Sequence, residues 1–263
     1  MIEPNVEDTM EEKRLSVGQD NRAIAVLARP GAAPGVFWLG GFKSDMEGTK
    51  AQALDEWAAQ SGRQATRFDY SGHGRSGGRF EDGTISRWLE EALAVFRQFT
   101  SGAQIVVGSS MGGWIALLLA KALRQTDETG RLAGLVLIAP AVDMTRTLLW
   151  DRFDDAARRE LKEKGFYEQP SDYADEPYIF TRRLIEDGKA HCFGEAIIET
   201  GCPVHVIQGM LDTDVPWTQA TALMERLALD DAVLTLVRDG DHRLSRQADI
   251  DRLIRAVKEI GQG

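Results

Sequence analysis

Short apolar runs alternate with amphipathic stretches along most of this chain, and that alternation leaves few folds open. GVFWLG (35–40), QIVVG (104–108), LAGLVLIAP (132–140), VHVIQG (204–209) and AVLTLVRD (232–239) have strand length and little period-two polarity. A strand that is apolar on both sides is covered on both faces. QATRFDY (64–70) is a further strand, ending in the loop SGHGRSGG. Between these runs lie helical patterns. TKAQALDEWAAQ sets Ala51, Leu54, Trp57 and Ala58 at helical spacing. A second helix, capped by Thr84 or Ser86, carries Trp88, Leu89, Ala92, Val95 and Phe96. WIALLLAKAL is a third, and the last has a stripe of Ile250, Leu253, Ile254, Val257 and Ile260. The pattern predicts an α/β fold with a mostly parallel central sheet and helices on both faces. RLSVG and AIAVLA add an antiparallel hairpin near the start.

The rhythm breaks once. Residues 143–200 are rich in charge and aromatics and hold no convincing buried strand. TRTLLWDRFDDAARRELKEKG and YIFTRRLIEDG both read as helical. The expected organisation is therefore a core of residues 1–142 and 201–263 with a helical cap, or lid, inserted at 143–200. A chain of 263 residues with 43% hydrophobic content can bury an adequate core. Its net charge of −10, with no Lys/Arg cluster, argues against nucleic acid as a partner. The longest apolar stretch, Trp114 to Ala120, is too short for stable membrane insertion. MIEPNVEDTMEEKR has neither an apolar signal core nor an Arg-rich, acid-poor transit character, so a cytoplasmic location is expected. Cys192 and Cys202 show no metal-ligand spacing and read as free thiols, with a disulfide as the lesser alternative. Nothing singles out an oligomeric interface.

Chemistry concentrates at the strand ends, where ligands bind in open parallel sheets. Gly108-Ser109-Ser110-Met111-Gly112 joins an apolar strand to an apolar helix and matches the G-x-S-x-G turn that projects a nucleophilic serine. Gly74-Arg75-Ser76-Gly77-Gly78 matches the same pattern but follows a polar loop and starts no helix. Serine needs a base. His242, in the loop DGDHR after AVLTLVRD, has the right position and chain order. His205 sits within a strand, His191 within the insertion, and His73 in a loop that shapes a turn or rims a pocket. Asp212, just past VHVIQG, is the favoured acceptor for the base, with Asp214 second and Asp143 third. The Met111 N–H and the Phe42 N–H, the latter in the Gly-Gly turn after GVFWL, are the candidate oxyanion donors. Asp239, Asp241 and His242 make a poor metal site, since Asp241 and His242 point to opposite sides of an extended backbone, and no metal or cofactor is expected.

These residues together resemble the α/β-hydrolase superfamily. GGFKSDMEGTKAQALDEWA, RFDYSGHGRSGGRFEDGTISRW, VVGSSMGGW, QGMLDTDVPW and GDHRLSR are similar to the palmitoyl-protein thioesterase and acyl-glucuronide esterase group within it. The likeness runs from about residue 35 to the last helix. It implies an α/β-hydrolase fold and a triad on Ser110, Asp212 and His242. The chain lacks the amino-terminal import extension of the mitochondrial members, which suggests a bacterial or otherwise cytosolic relative. The expected activity is a serine esterase or thioesterase acting through an acyl-enzyme on a small-molecule or acylated substrate. Trp150, Phe153, Phe166, Tyr167, Tyr173, Tyr178 and Phe180 are candidates for an acyl channel. A peptide-trimming enzyme, using acidic residues such as Asp172, Asp175 and Glu176, is one alternative. A non-catalytic ligand-binding protein on the same scaffold is another.

Overall fold

A computed structural model describes residues 10–169 and 177–261. Eight strands form one sheet: β1 (Glu12–Val17), β2 (Arg22–Arg29), β3 (Ala32–Leu39), β4 (Arg63–Phe68), β5 (Gln104–Ser109), β6 (Leu132–Ile138), β9 (Val204–Gly209) and β10 (Ala232–Val237). Their order is β1-β2-β4-β3-β5-β6-β9-β10. The pairs from β4 to β10 are parallel, while β1 with β2 and β2 with β4 are antiparallel. A separate antiparallel hairpin joins β7 (Phe166–Gln169) to β8 (Tyr178–Thr181).

The unbroken apolar runs are explained by cover on both faces. Val36, Trp38, Ile105, Val107, Val136 and Ile138 share one cluster with α1 (Thr49–Gln60) and α7 (Gln247–Ile260). Their neighbours Phe37, Leu39, Val106, Leu135 and Leu137 point the other way. That second face packs on α2 (Ile85–Phe99), α3 (Met111–Gln125) and α6 (Trp217–Arg226). Each large side chain removed from water on either face contributes about 1.5–3 kcal/mol. Thr84 caps α2, its hydroxyl accepting from Arg87 N at 3.2 Å.

The excursion between β6 and β9 is not wholly helical. It holds a single π-type turn (Thr145–Trp150), α4 (Asp155–Lys164), the β7–β8 hairpin and α5 (Arg182–Gly188). The helix expected over YIFTRRLIEDG starts only at Arg182, and Tyr178–Thr181 is strand. Gly165 ends α4 in the left-handed region at φ 85° and turns the chain into β7. The aromatic and β-branched run from Tyr178 then completes a pleated pair with Phe166–Gln169. Asp143 fastens the root of the excursion: its carboxylate accepts from the N–H groups of Phe193 and Gly194, both at 2.9 Å. It is therefore spent on structure, and the histidine for which it is the third candidate bonds Asp212 instead. Tyr173, Asp172, Asp175 and Glu176 lie outside the described residues.

Candidate active site

Three loops at the carboxyl ends of the parallel strands meet over β5. The first carries Ser110, which stands at φ 53°, ψ −118° between β5 and α3. A non-glycine residue in the left-handed region is strained and persists only where its surroundings over-determine it. Here the Ser110 N–H donates to Ile138 O at 2.8 Å, and its carbonyl accepts from Ala141 N at 3.0 Å and Gly113 N at 2.9 Å. The flanking glycines are required by space. A Cβ on Gly108 would lie 2.3 Å from Gly112 O, and one on Gly112 would lie 2.1 Å from Leu39 O. Strand, elbow and helix pass too closely for side chains at those two positions.

The second loop, after β10, carries His242, whose Nε2 lies 3.1 Å from Ser110 Oγ. The third, after β9, carries Asp212, whose Oδ2 lies 2.8 Å from His242 Nδ1. A carboxylate offers only acceptors, so Nδ1 carries the proton and Nε2 is left to accept from the serine. Asp212 is buried and holds four donors: Asp214 N and Val215 N on Oδ1, Gln208 Nε2 and His242 Nδ1 on Oδ2. Asp212, Asp214 and His242 lie close enough to offer a metal three ligand atoms within 4.8 Å. The four donors already on Asp212 and the serine on His242 account for that geometry without an ion. Asp214, the runner-up, is not in hydrogen-bond contact with the imidazole; its carbonyl accepts from Arg152.

Gln208 was missed in the sequence. A fully buried amide at the end of an apolar strand is the signal that would have found it. Its Nε2 also reaches Val215 O at 3.0 Å, so it braces the Asp212 turn from beneath.

The other candidates separate cleanly. Ser76 is structural: its Oγ donates to Asp69 O at 2.6 Å and accepts from Ala25 N at 2.8 Å. His205 pairs with Thr235 and His191 with Ser86. Asp239 faces Arg246, and Asp241 accepts from Leu244 N. Gly41 lies against the elbow, where a Cβ would come 3.4 Å from Ser110 Cβ. That contact brings the Phe42 loop beside the serine. Met111 opens α3, so its N–H has no partner one helical turn back. Neither it nor the Phe42 N–H donates to a backbone carbonyl in the described turns and caps.

A cleft of about 810 Å³ opens over Ser110 and His242. Its lining mixes apolar and polar groups. Met144, Leu148, Leu149, Phe153, Ala157 and Phe180 of the excursion supply apolar surface, along with Arg152, Asp154 and Gln169 of the same segment. Lys43, Ser44, Asp45, Arg243 and Ser245 from core loops and Lys50 from α1 supply polar surface, along with the apolar Trp38, Phe42 and Val215. Burial pushes the Lys50 ammonium down to about 8. Of the expected channel aromatics, Phe153, Tyr167, Tyr178 and Phe180 reach the cleft, whereas Phe166 does not line it and Trp150 faces outward beneath Arg158 and Lys189.

Residues 26–256 match the model of the "Alpha/beta hydrolase family". The chain belongs to that family. Within this hydrolase family, a bovine (Bos taurus) protein named palmitoyl-protein thioesterase ABHD10, mitochondrial, is 33% identical over 250 residues, covering 90% of this chain and 80% of its own length. The crystal structure of a putative hydrolase from Agrobacterium vitis S4 superposes with a TM-score of 0.93 at 54% identity, covering 96% of this chain and 99% of that one. Mouse alpha/beta hydrolase domain-containing protein 10 superposes with a TM-score of 0.85 at 30% identity, covering 95% and 98%. The expected cytoplasmic location does not stand, because curated relatives from several mammals are named mitochondrial. An acidic amino terminus was too weak a basis for a compartment. Among the described residues no helix is long and apolar enough to cross a membrane.

Proposed function

We propose that this hydrolase cleaves acyl esters or thioesters with Ser110 as nucleophile, His242 as general base and acid, and Asp212 as the group that orients and balances the imidazole. The observation that carries this reading is the continuous relay from Ser110 Oγ through both nitrogens of His242 to Asp212, at 3.1 and 2.8 Å. A binding protein has no need of such a relay, aimed from a strained elbow into a cleft.

Ser110 Oγ attacks the acyl carbonyl and its proton passes to His242 Nε2. The Phe42 and Met111 N–H groups stabilise the oxyanion, helped by the positive end of α3. His242 then protonates the departing alkoxide or thiolate as the tetrahedral adduct collapses to an acyl-enzyme. Water, activated by the same imidazole, attacks that ester and regenerates Ser110. The apolar lining supplied by the excursion suits the acyl chain and the polar lining supplied by the core the leaving group, with residues 143–200 acting as the cap. The name of the ABHD10 relatives, palmitoyl-protein thioesterase, supports a long-chain acyl group.

A fluorophosphonate probe and a panel of p-nitrophenyl esters and acyl thioesters of graded length test this. Wild type is expected to label and to turn over the panel, and Ser110→Ala to do neither. Labelling that survives in Ser110→Ala would count against the scheme.

A further inference from the structure

The loop SGHGRSGG is not used by the reaction above, yet it reaches the oxyanion side of the site. It is a stiff platform. Asp69 O and Ala25 N both bond Ser76 Oγ, Gly77 N donates to Ala23 O at 2.8 Å, and Gly72 N donates to Gly77 O at 2.9 Å. Two acceptors leave this platform for the Phe42 loop. Asp69 Oδ1 accepts from Met46 N at 2.7 Å, and His73 Nε2 accepts from Lys43 N at 3.1 Å. His73 is 4% exposed, packed among the rings of Tyr70, Phe80 and Trp88, and its Nδ1 lies 3.2 Å from Ser71 O. Accepting at Nε2 and donating at Nδ1 requires the neutral ring. Burial, which pushes this imidazole down to about 4, maintains that form.

The peptides on either side of Phe42 are thereby both held. The Lys43 N–H belongs to the peptide after Phe42 and is fixed by His73. The Gly41 carbonyl belongs to the peptide before it and accepts from Ser44 Oγ at 2.8 Å and Ser44 N at 3.2 Å. In a planar trans peptide the carbonyl and the following N–H point in opposite directions. Holding the Gly41 carbonyl toward Ser44 therefore turns the Phe42 N–H the other way. Lys43 itself stands at φ 59°, a strained position for a residue with a side chain, and needs such restraint.

We propose that His73 and Ser44 are positioning residues that preorganise the Phe42 N–H as an oxyanion donor, an inference that rests on the hydrolase mechanism above. His73→Phe keeps the ring packing and removes the acceptor. His73→Gln returns an acceptor to the place of Nε2. In His73→Phe, kcat is expected to fall by about 30-fold with KM within about threefold, as displacement of a preorganised donor by a fraction of an ångström requires. The inhibition constant of a trifluoromethyl ketone, which forms a tetrahedral adduct on serine, should rise in parallel. Amide hydrogen exchange across residues 42–44 should quicken about tenfold or more. His73→Gln should recover kcat to within about fivefold and restore slow exchange. An active wild type whose kcat is untouched by His73→Phe would overturn this inference alone, as would a His73→Gln variant that regains protection but not turnover. A wild type inert toward every ester and thioester would instead remove the hydrolase reading, and the positioning role with it.

Discussion

Gln208 and His242 share one oxygen: Nε2 of the first and Nδ1 of the second both donate to Asp212 Oδ2, at 3.0 and 2.8 Å. The amide fixes where that oxygen sits and so where the imidazole is drawn. Replacing it with an apolar side chain of similar length leaves the carboxylate anchored by only two backbone amides and the histidine. Gln208→Met is expected to lower kcat by about tenfold with little change in KM, the pattern of an interaction that matters most in the transition state. Steady-state kinetics on one p-nitrophenyl ester checks it; an unchanged kcat would reduce Gln208 to a structural brace.

Close approach of backbone at the elbow makes the glycines there stability determinants as well. Gly112→Ala would force a methyl against the carbonyls of Leu39 and Gly40, neither of which is a flexible side-chain end. The expected cost is about 3 kcal/mol, the upper range for overpacking. For a chain of this size that is a drop in Tm of roughly 6–10 °C. Thermal denaturation of the purified variant measures it, and a Tm within a degree of wild type would mean that α3 shifts freely.

The acyl subsite can be read by filling part of the cleft. Leu148 is half-buried and belongs to the apolar lining. Leu148→Trp is expected to lower kcat/KM for a hexadecanoyl ester by about tenfold or more while leaving an acetyl ester within about twofold. A uniform loss across chain lengths would place the acyl group elsewhere.

His73 also predicts a pH dependence of stability. Its folded value of about 4 lies below the ordinary 6.5. Between those limits the unfolded chain binds the proton and the folded chain does not, so stability rises with pH across that window. Full stability is present above about 6.5, and roughly 3 kcal/mol is lost on descending to about 4. Urea midpoints of wild type and His73→Gln across pH 4 to 7 isolate the contribution as the difference between the two curves. Parallel curves would show that the ring protonates in place.

Much of this architecture is local in origin, which is why it could be read from the chain. β3, β5 and β6 are apolar on successive residues because they are covered twice, and Ser110 stands out because strand, glycines and helix adjoin in sequence. His242 and Asp212 could be chosen from their places after β10 and β9. What escaped depends on contacts made across distance. Tyr178–Thr181 has a helix-compatible pattern until Phe166–Gln169 pairs with it. His73 looked like a turn residue because its partner, Lys43 N, is thirty positions away. Gln208 carries no motif; only burial beside Asp212 gives it a task.

Asp143 binds the departing chain to the returning one, since Phe193 and Gly194 hang from its carboxylate fifty residues later. One carboxylate thus joins the two ends of the inserted segment, while Ser86 on α2 grips Asp187 and His191 from the side. The excursion is stitched to the core along its described length, so removing the Asp143 carboxylate alone would loosen its root and leave that lateral seam in place.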